Sequence, residues 1–162
     1  MLTIALCDDD RKFMMSFENV LKQQFSKYDS ELNFTLFTSG KSLLTAVQSN
    51  PNAFQIIFLD VEMPEMDGFA VAQALHGMKS KSILSFVTNN DNEVDEGYYY
   101  KAACYLIKGN YQFKLERGIR AIMERFNEES SLQTPLSLKI QKTNSEYSDT
   151  LFYVGNILYL ES

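Results

Sequence analysis

The chain has 162 residues, 45% of them hydrophobic, with 15 Lys+Arg against 21 Asp+Glu and a net charge of −6. That apolar content excludes a disordered chain, and the length suits one average domain, or one domain and a piece of another. A single histidine, His76, and two distant cysteines, Cys7 and Cys104, exclude His-rich zinc sites, zinc ribbons and CxxC redox pairs. No apolar run reaches the ~18–20 residues of a membrane span and the N-terminus carries no signal peptide, so the expected location is cytoplasmic with no membrane partner.

Leu2 to Cys7 is a short apolar run that stops at Asp8, Asp9 and Asp10, the pattern of a buried strand ending in carboxylates. From Arg11 the period changes. Phe13, Phe17, Val20, Leu21, Phe25 and Tyr28 recur at helical spacing, and an Asp ahead of them suits the N-cap. Leu32, Phe34 and Leu36 alternate as a strand does, and Ser39-Gly40 leads into a short helix closed by Asn50-Pro51. Gly40-Lys41-Ser42 is not a P-loop, because the Gly required five positions earlier is Thr35.

Phe54 to Leu59 is a second buried run, and it too ends on a carboxylate, Asp60. Met66-Asp67-Gly68 reads as a turn before a helix carrying Phe69, Val71, Ala72 and Leu75. Ile83 to Val87 ends at Thr88, a helix is expected from about Val94 to Ala102, and Cys104 to Ile107 ends at Lys108. A last amphipathic helix carries Phe113, Leu115, Ile119, Ile122, Met123 and Phe126. Five βα units of this kind predict an α/β fold with a doubly wound five-stranded parallel sheet. Ligands of such sheets bind beyond the carboxyl ends of the strands, where strand order reverses. Asp8 and Asp9, Asp60, Thr88 and Lys108 all stand at such ends.

After Phe126 the character shifts. Residues 128–135 read as a linker, and 136–162 as a short β fragment with Leu136, Leu138, Ile140, Phe152 and Val154 in alternation. Residues 1–127 hold 13 basic and 16 acidic side chains and residues 128–162 hold two and five, so each part carries −3. A DNA-contacting surface would be basic. The tail is not.

Carboxylates converging at one sheet edge repel unless a cation sits among them, and Mg²⁺ suits one or two carboxylates with an open position for a phosphate oxygen. A lysine and a threonine beside them supply a fixed positive charge and a hydroxyl for a phosphoryl group. The set describes phosphoryl transfer onto a carboxylate.

These residues, in this order and with Asp60 inside LDVEMPEMDG, resemble the receiver domain of two-component response regulators over roughly residues 1–127. The resemblance implies the flavodoxin-like strand order 2-1-3-4-5 and Asp60 as phosphoacceptor. It implies Mg²⁺ held by Asp8, Asp9, Asp60 and the backbone carbonyl of Glu62, and Thr88 and Lys108 on the phosphoryl group. Thr88 and Tyr105 would form the switch, a sensor histidine kinase would be the phosphodonor, and self-phosphorylation rather than enzymatic turnover would be the activity. It further implies a homodimer through the helix at about 94–102, the strand at 104–107 and the last helix. The sequence departs from the family in having Gly109 where a proline usually follows the lysine, and Asn89 where a small residue usually follows the threonine. LSLKIQK and LFYVGNILYLES resemble the opening strands of the LytTR DNA-binding domain, so 136–162 would be its truncated start, with DNA bound only by the remainder. A receiver acting by protein contact without DNA is the alternative.

Overall fold

The computed structural model describes residues 1–28, 31–89, 99–133, 135–141 and 147–153. The chain divides into two compact units, residues 1–123 and 124–162. The first is built on β1 (Leu2–Cys7), α1 (Arg11–Phe25), β2 (Leu32–Phe37), α2 (Gly40–Ser49), β3 (Ile56–Leu59), α3 (Gly68–Gly77), β4 (Ile83–Thr88), β5 (Cys104–Ile107) and the start of α4 (Gln112–Gln133). The expected helix at 94–102 lies mostly outside the described residues.

All four strand pairings are parallel and the order is β2-β1-β3-β4-β5, as the resemblance implies. β1, β3 and β4 are buried almost throughout, which is why they read as continuous apolar runs rather than alternating ones. The chain steps from β1 outward to β2 and then crosses back to β3, so strand order reverses between β1 and β3. That reversal opens a crevice beyond Cys7 and Leu59, between Asp8 and Asp60.

One face of the sheet packs Ala5, Ile57, Leu59 and Phe86 against Leu43 and Val47 of α2 and Val71 and Leu75 of α3. Fully buried Met14, Phe17, Leu21 and Phe25 form the inward stripe of α1, and the Phe17 ring meets Phe58 edge-on at 5.5 Å. Cys7 is buried and Cys104 half-buried, and burial pushes their thiols up to about 12 and about 11, so both are inert at neutral pH. His76 is exposed.

The stretch 128–135 departs from its reading as a linker. Residues 128–133 continue α4, and Pro135 opens β6 (Pro135–Gln141), which pairs antiparallel with β7 (Tyr147–Tyr153). Nothing before Pro135 breaks the helix, since 128–133 contain neither Gly nor Pro. The hydroxyls of Ser130 and Ser131 donate back to the carbonyls of Phe126 and Asn127 at 2.7 and 2.8 Å instead of competing for a turn. Among the described residues no helix is long and apolar enough to cross a membrane.

Candidate functional site

The crevice is built from the chain segments that follow β1, β3 and β5. After Cys7 the chain leaves the sheet through three aspartates, and the structure gives them different work. Asp10 is the N-cap of α1, its Oδ1 accepting from the backbone N–H of Lys12 and Phe13 at 2.9 and 3.0 Å, and the N–H of Phe13 holds its carboxyl below the usual range. Asp8, 3% exposed, points into the crevice, with Oδ1 accepting from Asp10 N–H at 2.8 Å. Asp9 is exposed at the mouth. Only Asp10 does what capping propensity alone would assign to all three.

Asp60 follows β3 and is 2% exposed. Its backbone N–H donates to the carbonyl of Cys7 at 2.8 Å, tying the two strand ends together, and its Oδ1 accepts from Glu62 N–H at 3.3 Å. One carboxylate oxygen from each of Asp8, Asp9 and Asp60 lies within 4.8 Å of the others. Burial pushes the Asp8 carboxyl up to about 6 against the lowering contacts of Lys108 and Asp10, and burial likewise raises Asp60.

Lys108 resolves the repulsion. Its Nζ lies 2.8 Å from Asp8 Oδ2 and 2.9 Å from Asp60 Oδ2, and 4.9 Å from the centre of the Phe13 ring. Burial works against its charge, but the hydrogen bonds to Asp60 and Asp8 outweigh burial and raise its pKa. All described peptide bonds are trans, so Gly109 does not keep Lys108 from the crevice. Lys108 N–H also donates to the Thr88 carbonyl at 2.8 Å, which locks the end of β4 to the lysine. Thr88 is fully buried, while Asn89 and Glu62 are exposed.

Asp8, Asp9, Asp60 and Lys108 are thus brought together, with Thr88 joined to them through the backbone. Tyr105 stands apart, on β5, with its ring 5.9 Å from Phe86.

The donor set fits a small hard cation. It offers carboxylate oxygens alone, two of the three groups are desolvated, and a positive charge already sits between them in the form of the Lys108 ammonium. Two contributors escaped the sequence reading. Phe13 looks like a core helix position but forms the wall under the Lys108 ammonium. Gly68 was a turn residue, yet a Cβ there would collide with the Asp60 carbonyl oxygen, and its N–H donates to Val61 O at 2.8 Å. The Asp67-Gly68 pair was the available signal; the close approach to Asp60 was not legible.

The response regulator receiver domain model matches residues 4–120. Among curated proteins the chain is similar to the transcriptional regulatory protein RprY of Bacteroides fragilis, 28% identical over 137 residues, or 81% of this chain and 55% of that protein. The chain therefore spans about half the length of that relative. Among solved structures it resembles a response regulator receiver domain protein from Clostridium thermocellum, with TM-score 0.63 and 17% identity over 80% of this chain and 98% of the other. The response regulatory domain of mrkE from Klebsiella pneumoniae gives TM-score 0.64 and 19% identity over 78% and 99%. At such identities these two likenesses speak for the fold alone.

Proposed function

Since the chain belongs to the response regulator receiver domain family, we propose that Asp60 accepts a phosphoryl group from a sensor histidine kinase in a Mg²⁺-dependent step. The observation that supports this most is the Lys108 ammonium bridging the two buried carboxylates of Asp8 and Asp60 beside Asp9. Receiver domains of response regulators are phosphorylated by histidine kinases and generally bind Mg²⁺.

In this reading an ionised Asp60 oxygen attacks the phosphorus of a phosphohistidine in line. A new O–P bond forms at Asp60 as the N–P bond breaks, and the electron pair leaves with the imidazole. Asp8, Asp9, Asp60 and the Glu62 carbonyl would hold the Mg²⁺, which when bound would supply positive charge to offset that of a phosphoryl group. Lys108 keeps Asp60 charged before transfer and pairs with a phosphoryl oxygen afterwards. The buried Thr88 hydroxyl turns toward another phosphoryl oxygen, and Tyr105 follows on the neighbouring strand. The protein is phosphorylated once per signal and is not a turnover enzyme.

The output we propose is transcriptional. Phosphorylation favours a homodimer through the 94–102 segment, β5 and α4, which pairs LytTR-type DNA-binding domains of which residues 136–162 are the opening strands. The cytoplasm is where such a regulator works. The alternating pattern of Leu136, Leu138 and Ile140 and the β6–β7 pairing support a β output unit. The −3 charge of residues 128–162 favours a second reading, a receiver that signals through protein contact without DNA.

Intact-mass measurement after incubation with acetyl phosphate and Mg²⁺ tests the site. One phosphoryl adduct on the wild type and none on Asp60→Asn is expected; an adduct that survives in the variant removes Asp60 from its role.

A further inference from the structure

Helix α3 starts at the residue that touches the phosphoacceptor. Gly68 packs so tightly on the Asp60 carbonyl that no Cβ fits, and its N–H is bonded to Val61 O, so the backbone at 60–61 and the first turn of α3 have no slack between them. Asp67 caps that turn, its Oδ1 accepting from Ala70 N–H at 2.7 Å. The next side chain is Phe69. Its ring lies 5.0 Å from Phe86 and stacks on Tyr100 at 5.8 Å with the planes 16° apart. Phe86 in turn contacts Tyr100 at 6.4 Å and Tyr105 at 5.9 Å, and Tyr100 meets Tyr99 edge-on at 5.2 Å. Phe86 at the centre is 0% exposed, whereas Tyr99 at the far end is 80% exposed.

A close-packed cluster of rigid rings cannot absorb a displacement by filling a void, so movement of one ring is passed to those touching it. Two inputs reach this cluster. Thr88 stands two residues beyond Phe86 on the same face of β4, and Tyr105 is paired with Phe86 across the β4–β5 ladder. Phe69 is carried by α3, whose N-terminus is pressed on Asp60 itself.

We infer that Phe69 is a positioning residue through which a displacement at Asp60 travels by α3 and Tyr100 to the exposed ring of Tyr99, an input to the ring cluster that adds to the one arriving through Thr88, Phe86 and Tyr105. The inference rests on Asp60 being the phosphoryl site. It makes Tyr99 a surface reporter of the state of Asp60.

The test uses the full chain with its tyrosines replaced by 3-fluorotyrosine, observed by fluorine NMR, with the Tyr99 and Tyr105 signals assigned from Tyr99→Phe and Tyr105→Phe. Beryllofluoride with Mg²⁺ serves as the phosphoryl mimic. Both signals are expected to move in the wild type and neither in Asp60→Asn. Phe69→Leu leaves an apolar side chain but removes the stacked ring; it is expected to lose most of the Tyr99 shift and keep most of the Tyr105 shift, which also reports that the domain is folded. Thr88→Ala is expected to diminish the Tyr105 shift more than the Tyr99 shift, and Phe69→Tyr, which restores a ring, to recover the Tyr99 shift. A Tyr99 shift that is undiminished by Phe69→Leu, that is absent in the wild type while Tyr105 moves, or that vanishes with Thr88→Ala overturns the route while leaving Asp60 in place. No movement of either signal in the wild type, or movement in Asp60→Asn, overturns the phosphoryl site and the inference with it.

Discussion

Lys108→Met isolates the charge that holds the crevice together. Methionine keeps the unbranched stem, one atom shorter, and can lie on the Phe13 ring, so the perturbation is mainly loss of the ammonium. In the wild type that ammonium is 2.8 and 2.9 Å from two carboxylates whose side chains are 5% and 2% exposed. Removing one member of a buried ion cluster costs about 3–5 kcal/mol, because the partners are left desolvated and unpaired. Here protonation limits the loss. Asp8 already stands at about 6 with the lysine present, so without it the carboxyl takes up a proton near neutral pH instead of remaining charged. The lower end, about 3 kcal/mol, is therefore expected. For a domain of this size that lowers Tm by roughly 10 °C. Thermal unfolding at pH 7.5, with and without several millimolar Mg²⁺, reads the effect. The cation takes the place of the ammonium, so the deficit should shrink markedly when Mg²⁺ is added, and Mg²⁺ should stabilise the variant more than the wild type. An equal deficit in both conditions would refute the reasoning, since a loss that comes from leaving Asp8 and Asp60 unneutralised must respond to an added cation. Phosphorylation from acetyl phosphate should meanwhile slow by about 10²-fold, as a positioned cation is lost from the transition state.

Gly68→Ala forces a methyl onto the Asp60 carbonyl oxygen, backbone that cannot step aside, so a loss of about 1–3 kcal/mol in urea unfolding is expected together with slower phosphorylation; unchanged values for both would mean that the contact is loose. In metal-free protein the folded-state pKa of Asp8 is raised, so folding binds the proton more tightly than the unfolded chain does. The contribution of this group to stability is therefore fully present below about pH 4 and is lost as pH rises through about 6. Raising the pH across that window should lower the metal-free Tm relative to the Asp8→Asn variant, and Mg²⁺ affinity measured by calorimetry should weaken below about pH 6, where protons compete; pH-independent affinity between 5 and 7.5 would contradict the burial of Asp8. Asp10→Ala removes only the cap of α1, so circular dichroism melts should shift down while the intact-mass adduct persists; loss of the adduct would place Asp10 in the site.

The sequence alone determined the five strands of the parallel sheet and the residues at which they stop. β1, β3 and β4 are buried on both faces, so their unbroken apolar runs are visible as strands; the runs of β1 and β3 stop at Asp8 and Asp60, which leave the sheet for the crevice, and that of β4 stops at Thr88, the last residue of its strand. Residue type and spacing could not tell three consecutive aspartates apart, because capping and crevice lining ask for the same carboxylate, and only the family resemblance singled out Asp8 and Asp9. Only the turn into α1 decided that Asp10 caps and Asp8 points inward. Nor could the sequence follow α4 through residues 128–133, where polar composition imitates a linker and the absence of Gly and Pro is the weaker signal. What tertiary structure alone decided is the contacts that proximity across the chain produces. Lys108 reaches Asp8 and Asp60 from 100 and 48 residues away, Gly68 is pressed on the Asp60 carbonyl, and Phe13 lies under the ammonium. Periodicity records which face of an element is buried. It carries no information about which strands become neighbours, and that adjacency, set by the crossover from β2 to β3, is what turns an acidic chain into a site for a cation.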